Sequence, residues 1–161
     1  MFDPVFDDEI YVGGIATMFN QEDVRDEDIT AIVRLDQVPR DEGQWESDFK
    51  LLDVPISDGE LVSEETLDTV TAFIKARMDA GERVLVHCYM GISRSVTMVM
   101  AYLIAYENMS LAEAFGTVRE GRANAYPHEA LLVSLIDHYN LPYDVGTVYN
   151  PAFLAKLVED V

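Results

Sequence analysis

Cysteine is almost absent: the 161-residue chain holds one, Cys88, which excludes an internal disulfide. Lysine is scarce as well, limited to Lys50, Lys75 and Lys156, and the 11 basic residues stand against 30 acidic ones for a net charge of −19. A surface so poor in cations repels phosphate backbones and anionic headgroups, so neither nucleic acid nor a membrane is expected as a partner. No apolar run reaches the roughly 18 residues of a membrane span. The longest, Ser95 to Tyr106, suits a buried helix instead. The opening Met1-Phe2-Asp3-Pro4 lacks the basic region of a secretory signal, and a cytoplasmic address is the expectation. The acids are spread along the chain rather than gathered in a tail, a pattern that suits a hydrated surface kept soluble in high salt, as in halophiles. Attraction to a basic partner is the alternative reading of the same charge.

What is present suffices for one domain. Hydrophobic residues make up 49% of the chain and aromatic ones 10%, enough to bury a core and too many for a disordered segment. Strand and helix signals alternate. Glu9 to Gly14 reads as an opening strand ended by glycines, followed by a polar stretch of helical character from Met18 to Asp28. Thr30 to Leu35 is rich in β-branched residues, and Phe49 to Ile56 gives a third strand. Ser63 is placed to cap a helix whose apolar stripe is Leu67, Val70, Ile74 and Met78, and Gly81 stops it. Val84-Leu85-Val86 is wholly apolar, as in a strand buried on both faces. The pattern predicts an α/β fold with a central, mostly parallel twisted sheet of four to five strands flanked by helices. Residues 1–140 are expected to form the main domain, with 141–161 a tail whose Phe153, Leu154, Leu157 and Val158 suit a short helix packed on the same domain. A monomer is expected, with a dimer contact through that tail the bolder reading.

One segment stands out: Val86-His87-Cys88-Tyr89-Met90-Gly91-Ile92-Ser93-Arg94-Ser95, followed by the apolar helix. A buried strand, a tight turn and a helix start aim successive backbone N–H groups into one concavity, and the helix amino end adds positive partial charge. This is an anion site that needs no surface lysine. Hydrogen-bond donors and a guanidinium favour the thiolate form of a cysteine. The fork of Arg94 suits two phosphate oxygens at once. Cys88 is thus a candidate nucleophile held beside a phosphate cradle, which is what phosphoryl transfer to sulfur requires.

His87 to Ser95 follows the pattern HCxxGxxRS and resembles the phosphate loop of the protein tyrosine and dual-specificity phosphatases. Ile10 to Gly14, the stretch Pro55-Ile56-Ser57-Asp58, and Val118 to Arg122 with Pro127 beyond are similar to dual-specificity domains too, so the resemblance spans about residues 9 to 140. It implies a phosphatase acting on phosphoproteins through a phosphocysteine, without metal or cofactor. Asp58, thirty residues before Cys88 in a loop with Gly59, takes the place of the family's general acid, with Asp53 and Glu60 as competitors. Ser95 is expected to donate to the sulfur when it leaves. Tyr89, Met90, Gly91, Ile92 and Ser93 are expected to shape the substrate site with Arg94, and His87 to orient the loop. Arg122 either meets a second anion or is an exposed helix arginine.

Three features depart from the family. His128 replaces the usual Asn after the late proline, where a residue buttressing the phosphate loop is expected. Met90 stands where a small residue is common, and the tail has no counterpart. The short chain leaves no room for the extra aromatic loop that deepens the pocket of tyrosine-only enzymes, so a shallow pocket admitting phosphotyrosine, phosphoserine and phosphothreonine is expected. Phosphoinositides, RNA ends and a non-catalytic phosphate-binding role are the alternatives.

Overall fold

The computed structural model describes residues 1–160. Five strands form one sheet: β1 (Phe2–Phe6), β2 (Ile10–Gly13), β3 (Ile29–Arg34), β4 (Lys50–Asp53) and β5 (Arg83–His87), in the spatial order β1-β2-β5-β3-β4. β2, β5, β3 and β4 run parallel, and β1 pairs antiparallel with β2 at one edge. The expected α/β architecture is therefore present, with one strand more than the sequence pattern displays. β1 escapes that pattern because Pro4 interrupts it, and a strand tolerates proline only at an edge, where a missing N–H goes unnoticed. The hairpin to β2 turns through Asp7 and Asp8 at φ 48° and 53°. Aspartate is among the few residues that enter this left-handed region readily, and a tight hairpin needs it at both central positions. The regular ladder of β4 stops at Asp53, short of the expected Ile56, since Pro55 has no N–H to offer β3.

Side chains alternate across the sheet with period two. Val84 and Val86 join the larger core with Ile10, Val12, Ala31 and Val33, while Leu85, Tyr11 and Ile32 face a smaller one containing Met18, Val24, Trp45 and Phe49. The smaller core lies beneath a 3-10 turn (Ile15–Phe19), α1 (Gln21–Asp26) and the acidic loop. The larger is covered by α2 (Glu64–Asp79), α3 (Arg94–Tyr106), α4 (Leu111–Gly121) and α5 (Glu129–His138). Ser63 caps α2 by accepting the Thr66 N–H at 3.1 Å, and Ser110 with Glu113 forms a capping box on α4. α3 is buried from Ser95 through Leu103, which explains a run with no polar face.

The tail forms α6 (Val145–Val148) and α7 (Phe153–Glu159). Val148, Leu154 and Leu157 are buried in the larger core, whereas Val158 faces outward and is not part of the packed stripe.

Candidate active site

β5 delivers the chain to the carboxyl edge of the parallel strands, where open α/β sheets bind ligands, and α3 carries it away again. Between them Cys88 is buried at 2% exposure. Its Sγ accepts the Gly91 N–H at 3.2 Å and lies 3.3 Å from the Ser95 hydroxyl. Gly91 adopts φ +69°, and a Cβ there would stand 2.6 Å from both Arg122 Nη2 and the Gly13 carbonyl carbon, so glycine is obligatory. Among the described residues, the N–H groups of Met90, Ile92, Ser93 and Arg94 find no internal acceptor. They are donors for an anion at the amino end of α3.

Arg94 donates from Nη1 to the Ile56 carbonyl at 3.1 Å, which ties it to the segment leading into the Asp58 loop. Its Nε is buried without a partner among the described residues, as is Asp58 Oδ1. Buried polar atoms are rarely left so. Arg94 and Asp58, the residues that carry these atoms, line one cavity of about 290 Å³, together with Cys88, Met90, Ile92, Ser93, Tyr126, His128 and Glu129.

The loop is braced from beneath by groups that sequence reasoning overlooked. Trp45, the only tryptophan, donates its indole N–H to His87 Nε2 at 2.9 Å. With Nε2 accepting, the imidazole proton sits on Nδ1 and is donated to the Cys88 carbonyl at 3.2 Å. Beside them Arg34 and Asp36 form a buried pair, Nε to Oδ1 at 2.9 Å, and Arg40 adds a contact to Oδ2 at 3.2 Å. Burial works against the Asp36 carboxylate, but the Arg34 hydrogen bond and charge outweigh it and hold the group below the usual carboxylate range. A lone tryptophan in an acidic loop and a carboxylate directly after an apolar strand were the available signals; neither identifies a partner far along the chain.

Burial pushes the His87 imidazole down from 6.5 to about 4, so it stays neutral and keeps one tautomer near neutrality. Its folded pKa is depressed, so its stabilising contribution is intact above about 6.5 and is lost as the pH falls toward 4. Within that window the unfolded chain takes up the proton first. The His87 share of the loss is expected to be about 3 kcal/mol, measured as unfolding free energy in urea from pH 7 to pH 4. Titration of the ring by NMR in the folded protein identifies its source; a His87 midpoint near 6.5 would contradict this account.

Cys88, Arg94, Asp58 and Ser93 come together as anticipated by position in the chain, and Ser95 meets the sulfur. Ser93 accepts the His128 N–H at 2.8 Å. His128 therefore reaches the phosphate loop through its backbone, while its ring caps α5 by accepting the Ala130 N–H at 3.0 Å; the expected buttress is main chain, not side chain. Tyr89 does not line the cavity and stands 50% exposed outside it, because its carbonyl is turned inward to accept the Ile15 N–H at 2.7 Å. Arg122 matches neither expectation. It is buried, donates from Nε to the Gly91 carbonyl at 2.6 Å and from Nη2 to the Met90 carbonyl at 3.3 Å, and pairs with Asp3. It clamps the loop's carbonyls outward, leaving the N–H groups to face the cavity. Of the competing acids, Asp53 is bound to Arg40 at 2.6 Å and Glu60 lines a separate cavity with Ser57 and Thr66.

With this geometry in hand, comparison with known proteins is decisive. A family model described as "Dual specificity phosphatase, catalytic domain" matches residues 10–141. The chain belongs to this family. Among curated relatives, Dual specificity protein phosphatase 12 of Mus musculus is 31% identical over 157 residues, covering 93% of this chain and 46% of its own. Dual specificity protein phosphatase 1B of Arabidopsis thaliana is 29% identical over 126 residues, covering 78% of this chain and 75% of its own. The chain thus spans about half the length of the mouse relative. Among solved structures, human DUSP28 superposes with a TM-score of 0.76 at 25% identity, covering 86% of this chain and 93% of that one. Tk-PTP in its active form gives a TM-score of 0.72 at 28% identity, with coverage of 82% and 92%. Both solved structures therefore share the fold of this chain.

Proposed function

We propose that this dual specificity phosphatase domain hydrolyses phosphomonoesters on proteins, phosphotyrosine as well as phosphoserine and phosphothreonine, through a phosphocysteine. The carrying observation is the convergence of Cys88, Arg94 and Asp58 on one cavity. The loop amides and the Arg94 fork hold the three non-bridging oxygens. Cys88 Sγ, as thiolate, attacks phosphorus; the S–P bond forms as the bond to the ester oxygen breaks. Asp58, protonated, gives its proton to that departing oxygen, which would otherwise leave as a poor anion. In the second half Asp58 takes a proton from water, the water oxygen bonds to phosphorus, and the S–P bond breaks. Ser95 Oγ–H donates to the returning sulfur, and inorganic phosphate departs with Asp58 protonated again. No step calls on a metal. His87 and Arg122 act through the loop backbone, not on the substrate.

The cavity wall supports protein substrates over polyphosphorylated ones. Arg94 is its single cation, and Glu129 adds negative charge beside Asp58. From the chain's acidity we also propose a cytoplasmic, high-salt setting. A monomer is favoured because the tail's Leu154 and Leu157 are buried against their own domain.

The test is release of inorganic phosphate from phosphotyrosine and phosphothreonine peptides in EDTA. Both are expected to turn over, at rates that added divalent metal does not raise. Failure on every peptide, or activity that appears only with metal, would refute the reading.

A further inference from the structure

Met90, Ile92 and Tyr126 surround the polar floor of the cavity with carbon. Tyr126 is 53% exposed and Met90 61%, and both stand at the mouth. The Tyr126 main chain is held there from three directions. Its own N–H donates to the Ile92 carbonyl of the phosphate loop at 2.8 Å. Pro127 follows, and a residue before proline is confined to extended backbone. Two residues on, the His128 N–H binds Ser93 Oγ, a second stitch to the same loop. Behind the segment, Tyr126, Pro127 and Glu129 share a small cavity of about 10 Å³ with Val148, Asn150, Pro151 and Phe153 of the tail, so α6 and α7 back this wall. The main chain of Tyr126 is therefore fixed at the mouth, with its ring beside the cavity.

A phosphorylated tyrosine reaches phosphorus through a flat ring, whereas serine and threonine offer one or two carbons. Only the aryl group is long enough to reach Tyr126 and Met90 at the mouth while its phosphate rests on the loop. Aromatic pairs and sulfur–aromatic contacts are individually modest but act on the aryl substrate alone. We propose that Tyr126, together with Met90, forms an aryl-binding wall that biases this domain toward phosphotyrosine over phosphoserine and phosphothreonine. This rests on the phosphatase reading and deepens it: the depth that tyrosine-only enzymes gain from an added loop would here come from the residue before Pro127.

The experiment compares kcat/KM for peptides of identical sequence carrying phosphotyrosine or phosphothreonine, using wild type, Tyr126→Ala and Tyr126→Phe. The phosphotyrosine to phosphothreonine ratio is expected to favour phosphotyrosine in the wild type. It should fall roughly 3–10-fold in Tyr126→Ala and be kept in Tyr126→Phe, whose ring remains. An active wild type whose ratio is unmoved by Tyr126→Ala, or a variant that loses both substrates equally, overturns the wall and leaves the phosphatase reading standing. A wild type inactive on both peptides overturns the phosphatase reading, and the wall with it.

Discussion

Cys88→Ser is expected to lose turnover by on the order of 10⁴-fold or more while the cradle continues to bind oxyanions. The exchange replaces one atom at a buried position whose neighbours are the Gly91 amide and the Ser95 hydroxyl. Both can hydrogen-bond to an oxygen as they do to sulfur, so the loop has no reason to rearrange. What changes is the nucleophile. A serine hydroxyl does not ionise near neutrality, and the adjacent His87 is not placed to take its proton. His87 donates its Nδ1 proton to the Cys88 carbonyl and is buried beneath the loop, and its other nitrogen is occupied by Trp45. Steady-state hydrolysis of an aryl phosphate, with binding of inorganic phosphate followed by calorimetry, separates the two effects. Substantial residual hydrolysis by Cys88→Ser would mean that another group attacks phosphorus.

Asp58→Ala carries the second largest effect. A carboxyl that protonates the departing oxygen matters in proportion to how poorly that oxygen leaves, so the loss should be roughly 10²–10⁴-fold on a phosphothreonine peptide. On an aryl ester with a strongly acidic phenol it should be much smaller, because that phenolate departs unaided. Asp58 also lacks the contacts that would give it a structural role: its Oδ1 has no partner among the described residues, and a Cβ on the neighbouring Gly59 would meet nothing within 4 Å. Folding stability should therefore change little. Equal losses on good and poor leaving groups would assign Asp58 to the architecture instead of to proton transfer, and activity surviving on every ester would return Glu60 to consideration.

Legibility of the site from the chain followed sequence distance. Cys88, Arg94 and Ser95 lie within eight residues, Cys88 directly after β5 and the other two in the first turn of α3, so local geometry alone dictates that they converge. Asp58 was reachable through its offset and loop context, and the cavity joins it to Cys88. The residues that escaped detection are those whose partners lie far along the chain. Trp45 and His87 are 42 residues apart, and Arg122 meets the Gly91 carbonyl across 31. Arg122 was misread because a helix-terminal arginine looks the same in sequence whether it faces solvent or turns inward. Only the β1 edge, which places Asp3 against it, and the crowding at Gly91 decide which. β1 itself was missed because Pro4 interrupts its pattern, which a strand tolerates only at an edge.

The sequence by itself determined the anion cradle. A lone cysteine before Gly91 and Arg94, at a strand-to-helix turn, builds the backbone cradle by local conformation, since each amide's direction depends only on its own φ and ψ and those of its neighbours. The parallel sheet followed for a related reason: apolar runs without a polar face must be buried on both sides. Tertiary structure alone decided what surrounds that cradle. The tautomer of His87, the inward turn of Arg122 and the wall at Tyr126 each depend on a group brought close by packing, and the energy of such contacts varies with distances that no spacing in the chain encodes.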